Sequence, residues 1–96
     1  MKYLVVDASL SGTGIRDKYE GGYLTSKELK LSSDITNRLN DWLLKYESEH
    51  YKGFPNGDIV NKLDQEGKEI ALIIKTELSK VKLEYFSDAR MTSEML

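Results

Sequence analysis

The sequence predicts an α/β fold: a small two-layer sandwich with two helices packed on a two- or three-stranded sheet, in the order strand, loop, helix, helix, strand. Three observations carry this expectation. A run of β-formers, KYLVV (2–6), stands near the N-terminus. Two long stretches then place apolar residues at helical spacing, and a later segment, KVKLEYF (80–86), alternates in polarity. Helices over one face of a sheet let each of these elements bury its apolar side.

KYLVV is apolar on both faces, which suits a strand buried on both sides. Asp7 ends it. Residues 8–33 read as mostly irregular, with GGYLT (21–25) as a candidate short strand and SKELKL (26–31) as a helical turn. A loop of that length is uncommon inside a compact domain and often functional. Ser32 or Ser33 can cap a helix beginning near Asp34, because a serine hydroxyl accepts an unpaired N–H of the first turn. Ile35, Leu39, Trp42, Leu43 and Tyr46 form its apolar stripe, and Asp41 with Lys45 makes a favourable outer pair. GFPNGD (53–58) is a turn, with Asn56 and Gly57 tolerant of unusual φ.

A second helix is expected over about 58–78. Ile59, Leu63, Gly67, Ile70 and Ile74 share one sector. Gly67 is informative, because glycine costs about 1 kcal/mol inside a helix. On an apolar face it allows a neighbour to approach closely. In KVKLEYF, residues Val81, Leu83 and Tyr85 point one way and Lys82, Glu84 and Phe86 the other. The tail, SDARMTSEML, is expected to leave the sheet and fray. Nothing in the pattern decides whether the outer strands run parallel or antiparallel.

Composition narrows the function classes. The chain has 96 residues and is expected to form a single domain over 1–96 with one modest core. At 40% hydrophobic and 31% charged residues it is too apolar for a disordered tail. No apolar run approaches the roughly 18 residues of a membrane span. MKYLVVDASL also falls short of the roughly 7–15 apolar residues of a secretory signal. A cytoplasmic protein without a membrane partner is expected. There is no cysteine, which removes thiol catalysis and Cys-based zinc sites, and a single histidine, His50, removes a His-rich metal site. No cofactor is expected. The net charge is −2 and the pI about 5.4, with lysines and arginines interspersed among acids. That balance argues against direct nucleic-acid binding and suits a basic protein partner.

SLSGTGIRDKYEGGY (9–23) holds four of the seven glycines. It follows a strand as a phosphate-binding loop does, but it lacks G-K-[ST] and a following helix. GTGIRD also misses G-x-G-x-x-G, since Asp17 takes the third glycine position. Turn-forming glycines explain it better. Asp7, at the end of a buried strand, is the best isolated carboxylate for acid–base work, because strand ends are common site positions. A cap or turn role explains it more simply. Ser9 or Ser11 with His50 and Asp7 supply the residue types of a triad, but no strained G-x-S-x-G elbow is present. His50 lies where it complements the C-terminal end of a helix. Trp42 belongs to the apolar stripe. Tyr19 and Tyr23, loop aromatics among charges, have the character of a protein-binding surface.

GTGIRDKYEGGYL, LNDWLLKYESEHYKGF, LDQEGKEIALIIKTEL and VKLEYFSDARM together resemble a family of small bacterial immunity proteins encoded beside polymorphic toxins, including contact-dependent growth-inhibition systems. The resemblance spans nearly the whole chain and is one of overall pattern, without a catalytic signature. It implies a cytosolic protein that binds the C-terminal toxin domain of a cognate delivery protein; a non-catalytic chain, monomeric or weakly dimeric, is expected. Such toxins are often nucleases, many acting on tRNA. With parallel outer strands, Asp7 and Asp88 would both lie at strand C-terminal ends. The glycine-rich loop and SDARM would then share one edge. There Asp17, Glu20 and Asp88 would face basic toxin groups, with Tyr19 and Tyr23 as anchors and Arg16 and Arg90 as polar contacts. The competing surface is the acidic side of the helices, around Asp34, Asp41, Asp64 and Glu66. Two alternatives of other classes stand beside this: a small enzyme using Asp7 and the glycine loop, and a regulatory or scaffold subunit unrelated to toxins.

Overall fold

A computed structural model describes residues 1–96. The chain is of the α/β class. Its elements are β1 (Lys2–Val6), β2 (Ile15–Asp17), α1 (Ser26–Leu29), α2 (Ser33–Lys52), α3 (Gly57–Leu78), β3 (Val81–Ser87) and β4 (Thr92–Met95). The sheet has four strands in the order β2-β1-β3-β4. The two central strands are parallel, with Leu4 opposite Leu83 and Val6 opposite Tyr85. Each flanking strand is antiparallel to its neighbour.

The sheet is therefore wider than the two or three strands expected. β2 and β4 are short and carry little apolar alternation, which hid them. β2 contributes one buried apolar residue, Ile15. All four residues of β4 are exposed, and main-chain pairing with β3 holds them. The tail thus returns to the sheet instead of fraying: Met91 takes φ 57° and donates its N–H to the Ser87 carbonyl at 2.7 Å. GGYLT forms no strand, only a single bridge between Tyr23 and Arg16.

The helix boundaries follow from their caps. Thr25 and Glu28 form a reciprocal capping box on α1. Ser32 caps α2 through its side chain and the Ile35 N–H. Asn56, expected as a turn residue with unusual φ, instead caps α3 from an extended backbone, accepting from Asp58 and Ile59. The left-handed positions fall earlier, at Gly53 (φ 76°) and Phe54 (φ 53°).

Both long helices pack on one face of the sheet. Leu4, Val6, Ile15, Leu83 and Tyr85 meet Ile35, Leu39, Trp42, Tyr46, Ile70 and Ile74 in a single core cluster. The α3 stripe is rotated slightly from the expected one: Ile59 is 39% exposed and Val60 takes the inward position at 4%. Lys45 does not pair with Asp41; it reaches across to Glu66 at 2.7 Å. Gly67 does mark a close approach. A Cβ there would stand 2.4 Å from Tyr85 Cε1 and 2.7 Å from Trp42 Cζ2. No helix is long and apolar enough to cross a membrane.

Candidate functional site

The parallel pairing of β1 and β3 brings Asp7 and Asp88 to adjacent strand ends, where open α/β sheets commonly place their sites. Asp7 is 1% exposed. Its Oδ2 accepts from Arg16 Nε at 3.1 Å, and its Oδ1 accepts from the Tyr23 hydroxyl at 3.1 Å and the Ser9 N–H at 3.3 Å. Asp88 accepts from the Ala8 N–H at 3.3 Å and from Ser9 Oγ at 3.0 Å. These bonds tie the turn after β3 to the first residues after β1. Burial pushes the Asp88 carboxyl above its ordinary range, and the nearby Asp7 adds to this, although Ser9, Ala8 and His50 oppose it. Burial likewise pushes the Tyr23 hydroxyl up.

Ser9, Asp88 and His50 do come together, yet not as a nucleophile relay. Ser9 Oγ donates to Asp88, while His50 Nε2 lies 3.2 Å from the Ala8 carbonyl and 4.0 Å from Asp88 Oδ2. A base within reach of the serine proton is the first requirement of that chemistry, and here a carboxylate takes the position.

A second array lies beside the first. Asp64, expected on the exposed acidic side of the helices, is instead 7% exposed and points into the protein. Its Oδ1 accepts from Tyr46 Oη at 2.9 Å and Tyr85 Oη at 2.6 Å. Its Oδ2 accepts from Ser87 Oγ at 2.8 Å and Arg90 Nη1 at 3.1 Å. Tyr46 also accepts the Ala89 N–H at 3.1 Å, and Ser87 Oγ accepts the Arg90 N–H at 3.2 Å. The turn Ser87–Arg90 is thus pinned by α2, α3 and residues 8–9 together. Burial raises both tyrosine hydroxyls and Asp64 adds to each, but hydrogen bonds with Ser87 and the Ala89 N–H oppose the rise at Tyr46, so Tyr85 is raised more. Arg90 also lines a polar cleft of about 500 Å³ between α3 and β4, with Lys68, Glu94 and Asn61 on its walls.

The expected site residues divide into three groups. Arg16, Tyr23 and Asp88 gather at the strand ends. Arg90 sits by the Asp64 array. Asp17, Tyr19 and Glu20 lie toward the opposite end of the sheet, because antiparallel pairing sets Asp17 against Leu4 while Ile15 stands against Val6. Asp17 Oδ1 closes that turn by accepting from the Tyr19 and Glu20 N–H groups at 2.9 and 3.1 Å. Tyr19 is 70% exposed and packs edge-on against Tyr3. Asp34 and Asp41 are exposed.

Sequence reasoning missed a third array on the helix-free face. Tyr3, Val5 and Glu84 alternate away from the core, and Lys18 joins them. Glu84 accepts from Lys18 Nζ at 2.6 Å and Tyr3 Oη at 2.9 Å. Burial alone would raise the Glu84 carboxyl, but those two hydrogen bonds and the Lys18 charge outweigh it and hold it below its usual range. The alternation of KVKLEYF placed Glu84 on this face; its partner from the glycine-rich loop had no sequence signal. Comparison with family models, curated proteins and solved structures returned no match to this chain.

Proposed function

We propose that this chain is an immunity-type binder that acts in the cytoplasm and neutralises a cognate toxin domain, a nuclease of tRNA or other RNA, by stoichiometric protein–protein binding. The pattern resemblance described above supports the toxin partner. One structural observation carries the binding role: two buried aspartate arrays fix Arg16, Tyr23 and Arg90 at the surface from beneath. Side chains held in place before encounter lose less freedom on binding. Arginine and tyrosine are also the residue types that dominate binding energy at interfaces.

Within this reading, the roles of the expected residues separate. Arg16, Tyr19, Glu20, Tyr23 and Arg90 are the contacts. Asp17 and Asp88 are positioning residues, since their oxygens already serve main-chain and hydroxyl donors. The test is titration of the purified chain against the toxin domain encoded beside it, with toxin activity as readout. Neutralisation should complete at about one-to-one stoichiometry, as expected for a tight binder. Complete neutralisation at strongly substoichiometric amounts would indicate turnover and overturn the proposal.

A further inference from the structure

The two edges of the sheet are finished differently. The outer edge of β2 is covered by the chain itself. Asp17 donates its N–H to the Gly22 carbonyl at 2.8 Å, Leu24 donates to the Ile15 carbonyl at 2.9 Å, and Tyr23 bridges Arg16 between them. The outer edge of β4 is open. The Leu96 N–H donates to the Leu83 carbonyl at 3.0 Å, so Leu83 with Leu96 is a hydrogen-bonded pair and, by alternation, so is Tyr85 with Glu94. The main-chain groups of Ser93 and Met95 therefore point away from β3, and nothing in the chain pairs with them. A strand edge left open is a template for another strand. β4 holds neither proline nor lysine and pairs with β3 without a bulge, so three common guards of an edge are missing.

A strand this short makes a small contact, and the groups beside it enlarge that contact on both faces. On the helix side runs the polar cleft between α3 and β4, where Asn61, Gln65 and Thr92 offer exposed amide and hydroxyl groups. The four charges in the cleft form two pairs, Lys68 with Glu94 at 2.7 Å and Arg90 with Asp64 at 3.1 Å, so its wall is neutral as a whole. On the helix-free side, Tyr3 Oη reaches Met95 Sδ at 3.6 Å, which sets Met95 on that face. Met95 is 59% exposed there, and Met91, just before the strand, is 73% exposed.

We propose that β4 pairs with β4 of a second copy of this chain, antiparallel about a two-fold axis at Ser93, joining the two sheets into one. Ser93 and the partner's Ser93 then exchange N–H to carbonyl hydrogen bonds. A two-fold contact sets one patch against itself. A patch of net charge would repel its copy, whereas this one is neutral and carries both signs. Pairing centred on Ser93 sets Met95 opposite the partner's Met91, so the exposed methionines cover each other, and sets Thr92 opposite the partner's Glu94, a hydroxyl facing a carboxylate. Pairing centred on Glu94 would instead oppose two carboxylates directly, which is unfavourable. A strand of an unrelated protein would gain the main-chain bonds, but it would lack this match of side chains. Apart from Arg90, which borders the cleft, the residues assigned to toxin contact lie on or beyond β2 at the far edge, and the proposal does not rest on the toxin reading.

The test is sedimentation velocity on the full chain from about 10 μM to about 1 mM, where a contact of micromolar to millimolar dissociation constant is read directly. The mean mass should rise from that of one chain toward that of two. Ser93→Pro removes an outward N–H that β3 does not use, and Met95→Lys adds an edge charge; each should weaken dimerisation by about tenfold or more. Leu44→Lys, at an exposed position on α2, should leave it unchanged. Circular dichroism checks the fold of each variant, and Met95→Lys carries the test if Ser93→Pro disturbs β4. Nuclear Overhauser spectra of a half-labelled sample read the register: the Hα protons of Thr92 and the partner's Glu94 should be in contact, because pairs without hydrogen bonds lie closer. A contact between the two Glu94 Hα protons in its place overturns the Ser93 axis. A dimer unchanged in both edge variants, or weakened equally by Leu44→Lys, overturns the proposal. So does a chain that stays monomeric throughout, an outcome that leaves the edge to a strand of another protein.

Discussion

Replacing Gly67 with alanine sets two known effects against each other. Alanine is favoured over glycine inside a helix by about 1 kcal/mol. Against this, the new methyl would sit 2.4 Å from Tyr85 Cε1, 2.7 Å from Trp42 Cζ2 and 2.9 Å from Tyr85 Cζ. Carbon atoms settle at roughly 3.5–4.0 Å, so both rings must retreat by about 1 Å. Neither is free to do so. Tyr85 Oη is held by Asp64 at 2.6 Å, and Trp42 Nε1 donates to the Leu63 carbonyl at 2.8 Å. Overpacking of this kind costs about 1–3 kcal/mol, and with two anchored rings the upper half of that range applies. The net expectation is a loss of about 1–2 kcal/mol. In urea, with a slope of about 1–3 kcal/mol/M, the midpoint should fall by roughly 0.5–1 M. Gly57, in the first turn of the same helix, is the internal control. A Cβ there meets nothing within 4 Å and its φ is ordinary, so Gly57→Ala should leave the midpoint unchanged or raise it. A Gly67→Ala midpoint at or above the parent value would refute the packing argument, because it would mean that propensity had won.

Asp64→Ala leaves Tyr46, Tyr85, Ser87 and Arg90 without their shared acceptor and should destabilise by about 3–5 kcal/mol, read by the same urea melt; a loss below about 1 kcal/mol would contradict the burial of that array. Asp88 has a folded pKa raised above its ordinary 3.8, so its contribution to stability is full below that value and is lost as pH rises through the folded pKa. Asp88→Asn should therefore show a shallower fall in urea midpoint than the parent between about pH 3.8 and the folded pKa, and parallel profiles would remove the assignment. Glu84 behaves oppositely: its lowered pKa gives stability above the ordinary 4.5 that is lost on acidification, and Lys18→Met should reduce that acid-side loss. For binding, Arg16→Ala combined with Tyr19→Ala should weaken toxin affinity at least about tenfold with the fold intact by circular dichroism, whereas Asp34→Ala with Asp41→Ala should change it little. The reverse pattern, measured by calorimetry, would move the interface to the helices.

Strong periodicity made the central architecture legible. Trp42 and Tyr46 on α2, Ile70 and Ile74 on α3, and Leu83 and Tyr85 on β3 all occupy the buried positions their spacing implied. β2 and β4 were not legible, because main-chain pairing defines them and their side chains supply almost no alternation. Asp64 shows a different limit. Its position on α3 reads as a solvated acid, and only the hydroxyls of Tyr46 and Tyr85, brought from two other elements, make it a buried acceptor. Asp7 was singled out by its place at the end of a strand, but its partners lay beyond local reasoning. Arg16 and Tyr23 approach it because residues 15–23 fold back along β1, a path set by turn geometry.

The parallel pairing of β1 with β3 also orders events in time. Leu4 cannot meet Leu83 until both long helices and the turn between them have been made. During synthesis the growing chain therefore carries Leu4, Val5 and Val6 with one edge of their strand unsealed until residues 81–85 leave the ribosome. A sheet whose centre is a contact this distant in sequence is slow to nucleate. While it waits, its apolar strand is open to other chains. Fast closure of the β1–β2 hairpin protects only one side of that strand. The other side is sealed only when β3, Val81–Ser87, pairs with it after both long helices have been made.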